Sequence, residues 1–326
     1  MRRREFVAAF GGAALWPLVA SAQVATQRPL IAWLSGGGGS SSLVFVDAFL
    51  KGMHEFGYIE GRNFDIVYRY ADGYIERLPA LAEELVRLHP SVILAPASGP
   101  AVAAKNVTST IPIVTPALAD AVHLGLIASE SRPSSNVTGI APYVAGLPAK
   151  QMELAREVVP GAVKIGILTN LSDPKAPAQW RELKVAGQEL GVNVVGVDVL
   201  GPDDLEAGFQ ALAGQGINAM IVLQTSMLLT ERRKIAALAA TARIPAIYGY
   251  REHVDDGGLV SYGVDLRECF RRGAYYVDKI IKGAAPGNLP VEFPTKLELV
   301  INLSTARALG LTISPQLLAR ADQIVE

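Results

Sequence analysis

Leu30-Ile31-Ala32-Trp33-Leu34, the loop Gly36 to Ser42, and Leu43 to Phe56 with Gly57 behind it form the stretch on which the fold turns. The first five residues are an apolar run of the kind that makes a buried strand. In the third part Phe45, Phe49 and Met53 recur every four residues, which predicts a helix with one apolar face. Gly57 is placed to end that helix. Phe64 to Tyr70 then alternates as a strand does. Together these make one βαβ unit. It continues with a helix over Ile75 to Leu88, stopped by Pro90, a buried strand at Val92 to Leu94, and a helix beginning over Gly99 to Lys105.

The second half repeats the order. Lys164 to Leu168 reads as a strand, Thr169 to Lys175 as a polar loop, and Ala178 to Leu190 as a helix ended by Gly191. Val192 to Val199 is a strand, Asp203 to Ala213 a helix, and Ala219 to Leu223 a buried strand. Leu34 and Leu168 lie 134 residues apart, as do Gly57 and Gly191. This agreement predicts two similar α/β lobes with parallel sheets, since alternating strands and helices with right-handed crossovers leave little else. Ligands of such sheets bind beyond the strands' carboxyl ends, where strand order reverses. Two lobes facing each other would make a cleft there, with hinge closure. Crossings are expected at Asn136 to Ile140, Leu259 to Gly263 and Gly283 to Pro294, with a first-lobe helix over Asp265 to Ile281. The C-terminal part, Leu297 to Glu326, reads as a strand at Glu298 to Ile301 and two short helices.

The chain opens Met1-Arg2-Arg3-Arg4-Glu5-Phe6, runs apolar from Val7 to Val19, and reaches Ala20-Ser21-Ala22 before Gln23. A basic start, an apolar middle and a small-x-small site describe an export signal over residues 1–22. Arg3-Arg4-Glu5-Phe6 also fits a twin-arginine signal, the alternative being an ordinary secretory signal with three arginines. The remainder is expected to work in a bacterial periplasm. Without Arg2, Arg3, Arg4 and Glu5, the 30 basic and 31 acidic residues become 27 and 30, a net charge of −3. That balance argues against nucleic-acid binding, which needs a basic face. Hydrophobic residues make up 50% of the chain and mean hydropathy is +0.28, enough for a large core. The single cysteine, Cys269, lies in a helical pattern and is expected to be buried and inert.

Catalytic signatures are missing from the sequence. It has no Gly-x-Ser-x-Gly elbow, no phosphate-binding loop ending in Gly-Lys-Ser/Thr, and no His-Glu-x-x-His pair. His54, His89, His123 and His253 have no metal-ligand spacing, so neither metal nor cofactor is expected. The Gly36 to Gly39 run lacks the tight turn of a dinucleotide fingerprint and reads better as an anion-gripping loop. Candidate ligand residues lie at expected strand ends: Ser35, Gly36, Ser41, Ser98, Gly99, Asp120, Asn170, Gln224, Tyr248 and Tyr262. Loop amides near Gly36 to Ser41 and Ser98 would take a carboxylate, and Asp120 and Asn170 an ammonium or polar group. Tyr248 or Tyr262 would cover an apolar part. Trp33 and Trp180 read as packing residues.

The chain resembles the substrate-binding proteins of ABC importers, in the branch with tryptophan- and phenylalanine-binding members. The stretches that carry the likeness are Glu55-Phe56-Gly57-Tyr58-Ile59-Glu60-Gly61-Arg62-Asn63, Ile111-Pro112-Ile113-Val114, Arg132 to Gly139, and Gly257 to Gly263. The most specific is Pro294-Thr295-Lys296-Leu297-Glu298-Leu299-Val300-Ile301-Asn302-Leu303, followed by Ala308-Leu309-Gly310-Leu311. The resemblance implies a type I periplasmic binding fold, two doubly wound lobes joined by three crossings, with no cofactor and no catalysis. It also implies a small carboxylate ligand such as an amino acid, a membrane permease as partner, and a monomer. The lobes would be residues 28–139 plus 264–288 and 140–263 plus 289–326. Many members carry Asn-Pro where this chain has Asn170-Leu171, and Asp-Pro-Val where it has Asp120-Ala121-Val122. Two rival readings share this architecture: a periplasmic sensor subunit, and a periplasmic enzyme on a Rossmann-like scaffold.

Overall fold

The computed structural model describes residues 28–142 and 144–326. The export-signal reading, residues 1–22, lies outside the described residues. The first lobe runs β1 (Leu30–Ser35), α1 (Gly39–Glu55), β2 (Asp65–Tyr70), α2 (Leu78–Val86), β3 (Val92–Leu94), α3 (Ser98–Val107), β4 (Ile113–Thr115) and β5 (Val137–Gly139). The chain then forms α4 (Leu147–Val158), β6 (Lys164–Thr169), α5 (Ala176–Leu190), β7 (Asn193–Asp198), α6 (Leu205–Gly214) and β8 (Ala219–Val222). Next come α7 (Ser226–Thr230), α8 (Arg232–Thr241), β9 (Ala246–Tyr248), α9 (Arg251–Asp255) and β10 (Val260–Val264). Helix α10 (Leu266–Ile281) packs back on α1, and β11 (Leu297–Asn302), α11 (Leu303–Ala308), α12 (Pro315–Leu318) and β12 (Gln323–Val325) finish the chain.

The strands form two sheets, β2-β1-β3-β4-β5 and β12-β11-β10-β9-β8-β6-β7. All pairings are parallel except β10 with β11. Strand order reverses at β1 in the first sheet and at β6 in the second, so the loops after β1, β3, β6 and β8 stand where ligands bind.

Three apolar clusters hold the lobes. One, around Trp33, Phe45, Phe49 and Phe270, lies between the first sheet and the α1–α10 pair. A second fills the α2–α3 side of that sheet, and the third is the core of the second lobe. Expected alternation along β2 fails: all six residues are half-buried, because this edge strand is covered only in part on both faces. Helices α4, α7, α8 and α9 and strand β12 had no counterpart in the sequence reading. Helix α4 buries Leu147, Met152, Leu154 and Val158 among polar neighbours, a pattern too interrupted to stand out.

The chain leaves the first sheet after Gly139, re-enters the first lobe at α10, and leaves again through residues 284–296. The first and last of these passages run side by side: Ala141 N–H donates to the Glu292 carbonyl (2.8 Å) and Glu292 N–H to that of Gly139 (3.1 Å). Gly139 has φ +153°, and a Cβ there would stand 2.0 Å from the Thr115 carbonyl oxygen, so only glycine fits. Cys269 is buried, and burial pushes its thiol up to about 12.

Candidate functional site

Between the lobes lies an inner chamber of about 60 Å³. The first lobe lines it with Trp33, Phe45, Pro96, Pro100, Ala117 and Phe270 and with the loop from Ser35 to Ser42. The second lobe contributes Lys175, Ser226, Leu229, Thr230, Arg232 and Tyr250. Trp33 stacks on Phe270 (5.7 Å between ring centres) and Phe45 on Phe270 (4.7 Å), so the apolar wall is a continuous stack of rings. Trp33, expected as packing alone, is both core and wall. Two outer chambers adjoin. One of about 330 Å³ is mainly apolar, with Leu78, Val102, Ala103 and Met227. The other, about 700 Å³, is polar and holds Asp120, His123, Glu130 and Arg181, with Lys175 between it and the inner chamber.

Lys175 is the site's most informative residue. It is 8% exposed and forms no ion pair among the described residues. Its Nζ donates to Tyr250 Oη at 3.4 Å. Burial pulls its pKa down, but Tyr250 and the Asp173 carboxylate outweigh that, so the ammonium stays charged above its ordinary range. Burial raises Tyr250 in turn, with Lys175 opposing, so the pair is ammonium and neutral phenol. Asp173 is held in place: its two oxygens accept from the backbone N–H groups of Lys175 (3.0 Å) and Ser226 (2.8 Å). Arg232, also buried, is compensated by Asp256 at 2.8 Å, and its Nη1 donates to the carbonyl of Ser41 across the cleft (3.1 Å).

The expected site residues separate into three groups. Ser35, Gly36 and Ser41 line the inner chamber. Gly36, Gly99 and Asn170 line the apolar outer chamber, and Asp120 the polar one, with φ +51°. Asn170 is largely occupied: Nδ2 donates to the Val199 carbonyl (2.6 Å) and Oδ1 accepts from Ser172 Oγ (3.1 Å). Ser98, Gln224, Tyr248 and Tyr262 line none of the three chambers. The Ser98 hydroxyl is tied to the backbone of Ala119 in both directions, each at 2.7 Å. Gln224 donates through Nε2 to Gly249 (2.9 Å) and through its backbone to Gln179 Oε1 (2.9 Å). Tyr248 is fully buried in the second lobe and stacks on His253 at 4.6 Å. Tyr262 packs on that same core, and its carbonyl accepts from Gln151 Nε2 (2.8 Å).

Lys175, Tyr250, Thr230 and Arg232 were missed. One signal for Lys175 was present: it immediately precedes a 15-residue helix, where a cation opposes the helix dipole. A broken local rule of that kind marks a functional position more often than a structural one. Tyr250 sits two residues past β9, and period-two reasoning could not tell it from Tyr248 inside that strand.

Among known proteins, a tyrosine-binding protein of Clostridioides difficile strain R20291 is 26% identical over 263 residues, 81% of this chain and 75% of that one. A conserved domain protein of Vibrio cholerae O1 biovar El Tor superposes with TM-score 0.85 at 27% identity, covering 91% of this chain and all of that one. An ABC domain from Streptococcus pneumonia, in complex with L-Trp, superposes with TM-score 0.84 at 21% identity, covering 92% and 100%. These likenesses establish the type I periplasmic binding fold. The family profile described as ABC transporter substrate binding protein matches residues 38–325. The chain therefore belongs to the ABC transporter substrate-binding proteins, which carry a small solute to a membrane permease and are not enzymes.

Proposed function

We propose that this protein captures a small aromatic carboxylate, of the amino-acid type or close to it, in the inner chamber between its lobes. The observation that carries this reading is Lys175: a buried ammonium without an ion pair among the described residues, facing a chamber walled by Trp33, Phe45 and Phe270. A buried charge demands a partner, and a ligand carboxylate supplies one. The rings take the apolar part. The tyrosine-binding relative supports the same class. Binding draws the lobes, residues 28–139 plus 264–288 and 140–263 plus 289–326, together about the crossings, and shifts the open–closed equilibrium by its preference for the closed state. The protein acts as a monomer in the periplasm, exported by the signal at residues 1–22, with Arg3-Arg4-Glu5-Phe6 directing it to the twin-arginine route.

Isothermal titration of the purified protein with aromatic acids and aromatic amino acids tests this. A saturable heat is expected for at least one of them, with affinity reduced roughly 100-fold in Lys175→Met, about what losing one partner of a buried charge pair costs. Equal affinity in Lys175→Met, with its melting temperature preserved, would remove the chamber from consideration.

A further inference from the structure

The inner chamber is one-sided in its chemistry. Among the described residues no Asp or Glu lines it. The acids nearby are elsewhere: Asp120 opens on the polar outer chamber, Asp173 on the apolar one, and Asp256 behind Arg232. Several backbone carbonyls beside it already accept a hydrogen bond. Those of Ser35, Gly36 and Gly37 accept the N–H groups of Ala71 (2.9 Å), Gly73 (2.8 Å) and Asp72 (3.3 Å). The Gly38 carbonyl takes the Ser42 N–H and the hydroxyls of Ser41 and Ser42. On the facing lobe, the Ser226 carbonyl accepts from Thr230 Oγ1 and that of Leu229 from Arg232. The charged side chains that line it are both cations, Lys175 and Arg232, and the Tyr250 hydroxyl, whose oxygen already accepts from Lys175, has its proton left to donate.

We propose that the inner chamber is built for an aromatic monoanion, a carboxylate on a ring-bearing chain with no α-ammonium, rather than for a zwitterionic amino acid. This rests on the cleft reading above. The carboxylate sits on Lys175 and Tyr250, and the ring lies among Trp33, Phe45 and Phe270. An α-ammonium brought into the same space would lose its water and meet the like charge of Lys175, with no carboxylate in the chamber's own lining. Sites discriminate strongly when one member of a pair leaves a polar group buried and unpaired.

Matched ligands that differ only in the amino group decide the matter: L-tyrosine against 3-(4-hydroxyphenyl)propanoate, and L-tryptophan against 3-(indol-3-yl)propanoate, each titrated calorimetrically into the unmodified protein. The amino-free acid of each pair is expected to bind at least ten-fold tighter. Amino acids that bind as tightly as their amino-free partners, or more tightly, overturn this inference and leave the cleft reading standing. Absence of binding by all four overturns the cleft reading and this inference with it. The primary amide of 3-(4-hydroxyphenyl)propanoic acid adds a test of charge. The acid should be preferred over the amide at least ten-fold by the unmodified protein, and that preference should collapse in Lys175→Met. A preference that survives in the variant overturns the role given to Lys175 and so the inference.

Discussion

In the first lobe Trp33 touches Phe49 at 6.0 Å and Phe270 at 5.7 Å between ring centres, and the buried set there is apolar apart from hydroxyl side chains and, among the described residues, one acid, Asp278, paired to Lys282 at 2.7 Å. In the second lobe comparable depth holds Lys175, Arg232, Glu252, His253 and Glu298. Both lobes wind the same kind of sheet, yet one buries a single acid and the other several charges. The difference reaches the cleft as a division of labour. One wall supplies shape and ring contacts, which are tolerant. The other supplies a charge that must be matched, and matching is where discrimination comes from.

The largest effect that separates the lobes should come from acid. His253 is fully buried beside Arg232, and burial holds its pKa at about 3, below the ordinary 6.5. For a base the unfolded chain then takes up the proton first. Its contribution to stability is complete above about pH 6.5 and is lost as pH falls toward 3, roughly 5 kcal/mol in all. Glu252 and Glu298, whose pKa values burial raises, act in the opposite sense, so the isolating measurement is a difference. Melting curves from pH 7 to 4 should fall less steeply in His253→Phe, which keeps a ring against Tyr248. Parallel slopes in the two proteins would break the contrast between the lobes.

A somewhat smaller effect should come from where the lobes join. Gly139→Ala combines a positive φ with a Cβ 2.0 Å from the Thr115 carbonyl, and roughly 3 kcal/mol of stability should go. Chemical denaturation of the variant reads this directly; a loss under 1 kcal/mol would mean the crossing can shift to make room. The smallest effect sharpens the comparison at the apolar wall. Phe45→Leu keeps most of the volume but removes a ring, and affinity should fall by about 1 kcal/mol for acids and for their neutral amides alike. A loss confined to the charged ligands would show that the two walls are not separable.

The architecture was largely legible, because period-two and period-four patterns survive in strands such as β1 and helices such as α1 and α5. The seven-stranded second sheet was not, since β12 is three residues long and its exposed edge leaves no apolar pattern. The site was legible only in outline. Residues marked in the loops after β1 and β6 do line the chambers, but side-chain roles within them depend on tertiary neighbours. Ser98 and Gln224 are polar residues at strand ends that turn out to bind the loops to each other, which sequence cannot distinguish from reaching a ligand. Lys175 looked like the end of a solvated loop, because nothing in its neighbours along the chain records that Tyr250, 75 positions later, covers it.

Cys269 is the sole sulfhydryl of the chain, and it lies beneath the surface of α10 where that helix rests on the first lobe. A thiol dye reaches it only during moments when α10 lifts away. The rate of labelling of the unmodified protein is therefore a stopwatch for the breathing of α10 against the first lobe, one that needs no engineered probe and can be read with and without solute.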